Sequence, residues 1–193
     1  MTDHTPSTLS FSNISYRVGD KDVLKNVNGF LKPGHIMAIM GASGAGKTTL
    51  LDLLGRKRKS GQASGTCYLN GAIMNDDEFR RVAGFVEQED TLMPSLTVFE
   101  TLLYSARLRL PKTMSLEAQK YRVVQTMNEL GIMNIRDSRI GSEGSRGISG
   151  GEKRRVSIAC ELVTSPSIIF MDEPVCHNIP NCLKILIISR RLG

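Results

Sequence analysis

The sequence predicts an α/β fold, because short apolar runs typical of strands alternate with segments whose apolar residues recur at helical spacing. One apolar run, Ile36–Met40, leads directly into a glycine-rich loop, and another, Ile168–Met171, ends in two acidic residues. Two segments with helical spacing, after Thr97 and after Ser115, lie between these runs. We therefore expect a sheet built from both ends of the chain, with a helical insertion between them.

Strand patterns recur along the chain. An early strand is predicted where apolar and polar residues alternate, and later strands where short apolar runs stop at turn signals or acids. A continuous run such as Ile36–Met40 suits a strand that is buried on both faces. The predicted strand segments are Leu9–Tyr16, Val23–Phe30, Ile36–Met40, Gly65–Leu69 before the tight turn Asn70-Gly71, Phe85–Val86 and Ile168–Met171.

Helix starts are indicated by capping residues. Thr97 and Glu100 match a capping box, and Ser115 begins a second helix that Gly131 closes. Two more helices are expected, one over Lys47–Leu54 and one that begins at Ser149. Leu183–Ile188 is compatible with either a strand or a helix.

Composition excludes several classes. The chain has 193 residues, 40% of them hydrophobic, and a net charge of +6. The positive charge is dispersed, so we expect no nucleic-acid partner. No apolar run approaches the roughly 20 residues of a membrane-spanning helix, and the N-terminus has no apolar signal core, so this chain alone is expected in the cytoplasm. The spacing of the four cysteines fits no zinc site.

The glycine-rich loop carries the strongest motif. Residues 41–48 fit the pattern G-x4-G-K-[ST] between an apolar strand and a helix. Such a loop turns backbone N–H groups toward phosphate oxygens, and the helix N-terminus adds partial positive charge. Lys47 is expected at the β and γ phosphates, and the Thr48 hydroxyl at Mg²⁺. The predicted nucleotide-binding residues are Gly41, Ala42, Ser43, Gly44, Ala45, Gly46, Lys47, Thr48 and Thr49.

The acidic end of the last apolar run suits magnesium-dependent phosphate chemistry. Asp172 would hold Mg²⁺ through a water or second-shell contact, and Glu173 would polarise the attacking water. By itself the pattern is weak, since many apolar strands end in acids. Its position downstream of a phosphate-binding loop strengthens the interpretation.

A second glycine motif begins at Ser149 and has two interpretations. Ser149 with two glycines at a helix start presents N–H groups and a helix dipole to an anion. Ser149 and Glu152 also form a plain capping box. Both interpretations stay open at this point.

Together these motifs resemble the nucleotide-binding domain of ABC transporters, in the G subfamily of pigment and multidrug half-transporters. The resemblance runs from Phe11 to Pro174. It rests on residues 27–34 before the phosphate loop, residues 51–57 after it, residues 84–90, residues 96–102 and the close match of residues 146–158 to the ABC signature. It implies a P-loop NTPase of ABC type, with an N-terminal antiparallel β subdomain, a parallel core sheet and a helical subdomain at about 92–160.

The resemblance also implies roles for further residues. Gln88 would contact Mg²⁺ and the attacking water, which makes Gln88 and Glu173 the catalytic pair and Thr48, Gln88 and Asp172 the metal site. Tyr16 stands where many ABC proteins stack an aromatic ring on adenine, although a core tyrosine is the competing interpretation. The signature residues Ser149, Gly150, Gly151 and Glu152 would act on the ATP of a second nucleotide-binding domain, in a homo- or heterodimer.

The chain departs from the family after Pro174. A D-loop and a later switch histidine are expected there, but residues 175–193 match neither. We expect a domain at 1–174 that is incomplete at its C-terminus, with a sheet edge left uncovered, and a non-family tail at 175–193. The transmembrane domain would be encoded elsewhere or missing.

The leading hypothesis is ATP binding and hydrolysis that powers transmembrane transport by an exporter, on the cytoplasmic side of a membrane. The alternative is a truncated, non-catalytic fragment that binds nucleotide or a partner domain without turnover. A soluble ABC ATPase of DNA maintenance is disfavoured, because the short stretch between Gln88 and Ser149 suits a compact helical lobe.

Overall fold

A computed structural model describes residues 7–57, 60–88, 90–142 and 146–172, together with the backbone of 185–189. The chain divides into two compact units, one formed by residues 1–88 with 166–193 and the other by residues 89–165. Glu173 and most of the tail lie outside the described residues.

The described strands are β1 (Leu9–Val18), β2 (Lys21–Leu31), β3 (Ile36–Ile39), β4 (Gln62–Leu69), β5 (Ala83–Val86), β6 (Ile168–Asp172) and β7 (Ile185–Ser189). The described helices are α1 (Lys47–Leu54), α2 (Asp76–Val82), α3 (Val98–Arg109), α4 (Leu116–Glu129) and α5 (Gly150–Leu162), with a 3₁₀ turn at Met133–Ile135.

The first sheet is antiparallel, in the order β2-β1-β4. Leu9, Phe11 and Ile14 of β1 are buried in the core, and an irregularity in the strand between Phe11 and Ile14 interrupts the alternation of inward and outward residues. The predicted N-terminal antiparallel subdomain is therefore confirmed.

The second sheet has the order β3-β7-β6-β5. β5 and β6 are parallel, whereas β7 is antiparallel to both β3 and β6. β3, β5 and β6 consequently run in one direction, as the predicted parallel core requires, with β7 reversed between them. The prediction of an uncovered edge beside Ile168–Met171 is wrong, because β6 pairs with β5 on one side and with β7 on the other.

The prediction that Ile36–Met40 is buried on both faces is also wrong. β3 forms the end of its sheet, where Ile36 is 61% exposed and Met40 is 65% exposed. Met37 and Ile39 alone pack against the core cluster of the first unit. A continuous apolar run predicts burial on two faces but does not reveal whether other elements will cover both faces of the strand.

Helices α1 and α2 cover the first unit's core. Leu51 and Leu54 of α1 are fully buried, and Phe79 of α2 packs at a ring-centroid distance of 6.0 Å from Phe170 of β6. α2 has no counterpart in the sequence prediction, although a capping box between Asn75 and Glu78 marks its start. Burial of such side chains contributes about 1.5–3 kcal/mol each.

The second unit is helical. α3, α4 and α5 bury a separate apolar cluster that includes Leu102, Val123 and Val156, all with no exposed surface. The predicted capping box at α3 is present: Thr97 and Glu100 exchange backbone and side-chain hydrogen bonds. Arg109 joins α3 to α5 through a two-pronged ion pair with Glu161 at 2.6 and 2.8 Å.

Candidate functional site

The glycine-rich loop connects the end of β3 to the start of α1. Gly44 and Gly46 have φ angles of +78° and +86°, which belong to the left-handed region that favours glycine. Space is tight at one of them: a Cβ on Gly46 would lie 3.0 Å from the Leu24 side chain and 3.1 Å from the Val23 carbonyl oxygen. The loop is therefore shaped by its own backbone and by β2, which lies beside it.

Lys47, the first residue of α1, is only 9% exposed. Its ammonium group donates hydrogen bonds to the carbonyl oxygens of Gly41 at 2.8 Å and Ala42 at 2.6 Å. The first turn of α1 contains no acidic residue that would neutralise this cation. The loop thus holds a buried positive charge at a helix N-terminus, which is the electrostatic setting that phosphate groups prefer.

The remaining loop residues form a tight turn and are largely exposed. The Ala45 N–H donates to the Ala42 carbonyl oxygen at 3.2 Å, which tightens the turn. Ser43 and Thr48 are exposed, and Thr49 is half-buried on the first turn of α1. The loop and the first turn of α1 therefore offer two hydroxyl-bearing residues that are open to solvent, Ser43 and Thr48.

Asp172 belongs to the same sheet as this loop. Ile39 and Asp172 both pair with Ile185 of β7, one on each side. Two strand spacings separate their backbones by about 10 Å. Asp172 is 5% exposed, so its carboxylate is withdrawn from bulk water.

Gln88 follows β5 and is exposed. Val86 of β5 pairs in parallel with Met171 of β6, so the segments after both strands leave from one edge of the sheet. β3 runs in the same direction and ends at this edge too. The structure therefore brings Lys47, Gln88 and Asp172 to the carboxyl edge of one sheet, which is where open α/β sheets bind their ligands.

Oxygen donors gather at this edge. Thr48 offers a hydroxyl, Gln88 an amide oxygen and Asp172 a carboxylate, which suit a magnesium ion that also takes phosphate and water ligands. Within the described part of the chain, no group of three His, Cys, Asp or Glu residues forms a metal cluster. The donor set fits Mg²⁺ bound together with a phosphate, since such sites use one or two carboxylates. Glu173 lies outside the described residues.

Tyr16 lies in the core of the first sheet. Its ring is 5% exposed, and its hydroxyl oxygen accepts a hydrogen bond from the Gly61 N–H at 2.9 Å. The residue also lines a pocket of about 350 Å³ on that sheet. Leu24 lines the same pocket and lies against Gly46 of the phosphate loop. The placement of adenine on Tyr16 stays a prediction, because little of the ring is exposed.

The sequence predicts Val23 and Leu24 as strand residues but gives them no role in the site. They shape the end of the phosphate loop by lying against Gly46. Their pattern is that of an ordinary strand, and the contact joins residues far apart in the sequence. No local signal could have identified them.

The segment at Ser149 is an N-terminal cap as well as a glycine motif. The Ser149 hydroxyl accepts the Glu152 N–H at 3.4 Å, and a Glu152 carboxylate oxygen accepts the Ser149 N–H at 2.8 Å and its hydroxyl at 2.7 Å. The capping-box interpretation is therefore confirmed. The Ser149 hydroxyl and then the Ser149 N–H hold the pKa of Glu152 below its ordinary value of 4.5.

Gly150 and Gly151 are not explained by this cap. Both are exposed, neither has a positive φ, and a Cβ added to either would meet nothing within 4 Å. Alanine would therefore fit both positions within this chain and would favour the helix. Intrachain packing and backbone conformation supply no reason for the two glycines.

Within the described residues, no helix combines the length and the apolar character needed to cross a bilayer.

Comparisons with known proteins identify the family of this chain. The model of the ABC transporter family matches residues 24–176. The chain is 54% identical to a probable ATP-dependent permease of Saccharomyces cerevisiae, over 94% of this chain and 19% of that protein. It is 44% identical to ABC transporter G family member 24 of Dictyostelium discoideum, over 89% of this chain and 16% of that protein.

A mammalian relative shows the same relationship. The chain is 43% identical to the broad substrate specificity ATP-binding cassette transporter ABCG2 of Bos taurus, over 87% of this chain and 27% of that protein. The chain thus spans between 16% and 27% of the length of these three relatives, and the family match contains the phosphate loop. Family membership implies ATP binding. The predicted resemblance is confirmed: the chain belongs to the ABC transporter family and is a nucleotide-binding segment of its G-subfamily type.

Proposed function

We propose that this chain binds Mg-ATP and hydrolyses it as the energy-coupling part of an ABC exporter. The observation that carries the proposal is the buried ammonium group of Lys47, held at the start of α1 by the carbonyl oxygens of Gly41 and Ala42. These carbonyls hold the cation inside the loop. A nucleoside triphosphate would draw the ammonium group from the carbonyls to its own β and γ oxygens.

Four residues would hold Mg²⁺ and prepare the hydrolytic water. Thr48, Gln88 and Asp172 would hold Mg²⁺, which supplies charge neutralisation at the phosphates when it is bound. Glu173 would accept a proton from the attacking water as general base, and Gln88 would orient that water. The neighbouring ends of β5 and β6 support this assignment, because they place the segments of Gln88 and Asp172 side by side.

The signature residues would act on a partner's nucleotide. Ser149, Gly150 and Gly151 begin α5 and would present N–H groups to the γ phosphate held by a second nucleotide-binding domain. The open space above both glycines supports this role, since close approach by a ligand explains residues that packing leaves unexplained. Glu152 would serve by fixing the cap that orients these N–H groups.

The nucleoside would extend from the phosphate loop along β2. Leu24 lies against Gly46 and also lines the pocket that contains Tyr16, Arg17 and Asp22. This continuity supports placing the adenosine near the β1–β2 hairpin, with Tyr16 beneath the pocket.

The transport function belongs to a longer assembly. The relatives are permeases and transporters by name, and the chain covers a minor part of their length. We propose that the chain works with a second nucleotide-binding domain and a transmembrane domain, on the cytoplasmic face of the membrane. The comparisons do not favour the alternative of a non-catalytic fragment.

A concentration series of the purified chain tests this proposal. If two chains share each site, ATP turnover per chain rises with chain concentration until dimers dominate, and Glu173→Gln abolishes it. Turnover that is independent of chain concentration and unchanged in Glu173→Gln would come from a contaminant. The chain itself would then have no turnover, which contradicts the proposal. Arg107→Gln, which changes an exposed residue of α3, is the matched control and should leave turnover unchanged.

A further inference from the structure

Two consecutive basic residues follow α1 and contact different elements. Arg56 has a φ of +55°, which sharply redirects the chain after the helix. Its guanidinium group pairs with Asp76 at 3.1 Å and lies 4.7 Å from the centre of the Phe79 ring. Arg56 thus joins the end of α1 to the start of α2.

Lys57, like Arg56, contacts an aromatic ring and a carboxylate, which in this case belong to β5 and to the residue that follows it. Its ammonium group lies 3.4 Å from the centre of the Phe85 ring and forms an ion pair with Glu87. A second, longer ion pair joins it to Asp52 of α1 at 3.8 Å, and its backbone N–H donates to the Asp52 carbonyl oxygen at 2.8 Å. Lys57 is therefore tied to α1 by its backbone and to β5 by its side chain.

The contact with β5 continues to the strand that carries Asp172. Phe85 stacks on Phe170 of β6 with a centroid distance of 6.2 Å and an interplanar angle of 20°. Phe170 is fully buried, two residues before Asp172. The end of α1 also packs closely on Phe85, since a Cβ on Gly55 would lie 2.9 Å from its ring. One stack therefore links α1, β5 and β6.

These three elements carry the proposed Mg-ATP residues. Lys47 and Thr48 begin α1, Gln88 follows Glu87 after β5, and Asp172 ends β6. We propose that Lys57 is a positioning residue, which holds the Gln88 segment in register with α1 through Glu87 and Phe85. The proposal rests on the proposed function, because Gln88 must contact Mg²⁺ for its position to matter.

The arrangement differs from an ordinary surface ion pair. A single exposed pair contributes little, because water screens it and both side chains lose freedom. Lys57 combines two carboxylates with an aromatic face, and its side chain is only 31% exposed. Glu87 directly precedes Gln88, so the ion pair lies one residue away from the proposed metal contact.

The test measures ATP binding by the full chain as Mg²⁺ is titrated, with a parallel measurement in EDTA. Lys57→Met retains a flexible apolar side chain over Phe85 but removes the charge. We expect it to raise the Mg²⁺ concentration for half-maximal binding about tenfold, as loss of an outer-shell contact typically does. ATP affinity in EDTA should stay unchanged, because the phosphate loop is untouched.

Three companion variants separate positioning from general destabilisation. Lys57→Arg keeps the cation over the ring and should restore most of the Mg²⁺ response. Glu87→Gln should reproduce the effect of Lys57→Met, and the double variant should be no worse than either single variant. Arg56→Met is the matched control: it removes an equivalent cation from Phe79 and Asp76 and should leave the Mg²⁺ response unchanged.

The outcomes distinguish the two proposals. If the parent chain does not bind Mg-ATP, or if its binding does not depend on Lys47, the proposed function itself is refuted. Retained Lys47-dependent binding, with an unchanged Mg²⁺ midpoint in Lys57→Met or an equal shift in Arg56→Met, overturns the positioning role alone. An unchanged midpoint in Gln88→Ala also overturns it, since the position of Gln88 would then be immaterial. If Lys57→Met does not fold, Glu87→Gln and Lys57→Arg decide by the same midpoint.

Discussion

The ammonium group of Lys47 lies 2.8 Å from the carbonyl oxygen of Gly41, so the cation at the start of α1 is bonded to the first residue of its own loop. The bond holds Lys47 inside the loop, where its side chain is nearly buried. When phosphate binds, the Lys47 ammonium group would exchange its carbonyl partners for phosphate oxygens. No desolvation of the ammonium group would be needed, because it is already buried. The loop is thus organised for its ligand by contacts within the chain.

Substitution of the two left-handed glycines should separate backbone strain from steric contact. In Gly44→Ala the new Cβ would have no neighbour within 4 Å, so the free energy of unfolding should fall only by the cost of a left-handed backbone at alanine, about 1–2 kcal/mol. Gly46→Ala adds close contacts with Leu24 and the Val23 carbonyl oxygen and should lose more. Urea unfolding of each variant measures the free energy of unfolding. Equal losses would show that the packing of the loop against β2 has no energetic effect.

Alanine at Gly150 or Gly151 should affect function and stability in opposite directions. The free energy of unfolding should stay level or rise, by up to about 1 kcal/mol, because alanine favours a helix over glycine. ATP turnover by the dimer should fall, since a Cβ would obstruct approach of the partner's nucleotide. Thermal unfolding and steady-state turnover are the two measurements. Reduced stability with intact turnover would assign the glycines a structural role.

Acid should weaken the caps of α3 and α5. Hydrogen bonds from Thr97, first from its N–H, lower the pKa of Glu100 from 4.5, and those from Ser149 lower the pKa of Glu152 from the same value. A carboxylate whose folded pKa is depressed stabilises the fold above its unfolded pKa, and this contribution disappears as pH falls through the folded pKa. The contribution is therefore present above pH 4.5 and is lost progressively as the pH falls from there through the lowered pKa of the folded state.

A variant with Glu100→Gln and Glu152→Gln tests this linkage. Its free energy of unfolding should be lower than that of the parent at neutral pH, and the difference should shrink as the pH drops below 4.5. Chemical unfolding at a series of pH values provides the comparison. A difference that is constant through the acidic range would mean that neither carboxylate is hydrogen-bonded as described.

Cys160 should resist alkylation in the folded chain. Burial, followed by the nearby Glu161 carboxylate, raises the pKa of its thiol to about 12, so almost no thiolate is present near neutral pH. Peptide mass spectrometry after a short iodoacetamide pulse should find Cys160 unmodified until denaturant is added. Modification at the rate of a free thiol would indicate that the interface between α3 and α5 opens readily.

Local features of this fold were accessible from the sequence. The capping boxes at Thr97 and Ser149 need only residues three apart, and the structure contains both. The Asn75–Glu78 capping box is equally local, but the seven residues of α2 form too short a segment for helical periodicity to predict this helix. Motifs that combine a strand, a glycine loop and a helix are local as well, and the structure contains β3 before this loop and α1 beginning at Lys47.

Long-range placement was not accessible. Nothing in residues 185–189 indicates that this strand will enter the sheet between β3 and β6 in the reverse direction. The exposure of Ile36 and the burial of Tyr16 depend on which strands become neighbours. Contacts such as Leu24 with Gly46 have the same origin, since the two residues meet only after the sheets have formed.

The most direct measurement is the dissociation constant of Mg-ATP for the parent chain and for Lys47→Ala, by calorimetry at equal Mg²⁺. Loss of a charged hydrogen-bonding group should weaken binding about 50-fold. Lys32→Ala, at an exposed lysine of a turn, is the control and should bind like the parent. Undiminished affinity in Lys47→Ala, with both variants folded by circular dichroism, would contradict the claim that this loop is the triphosphate site.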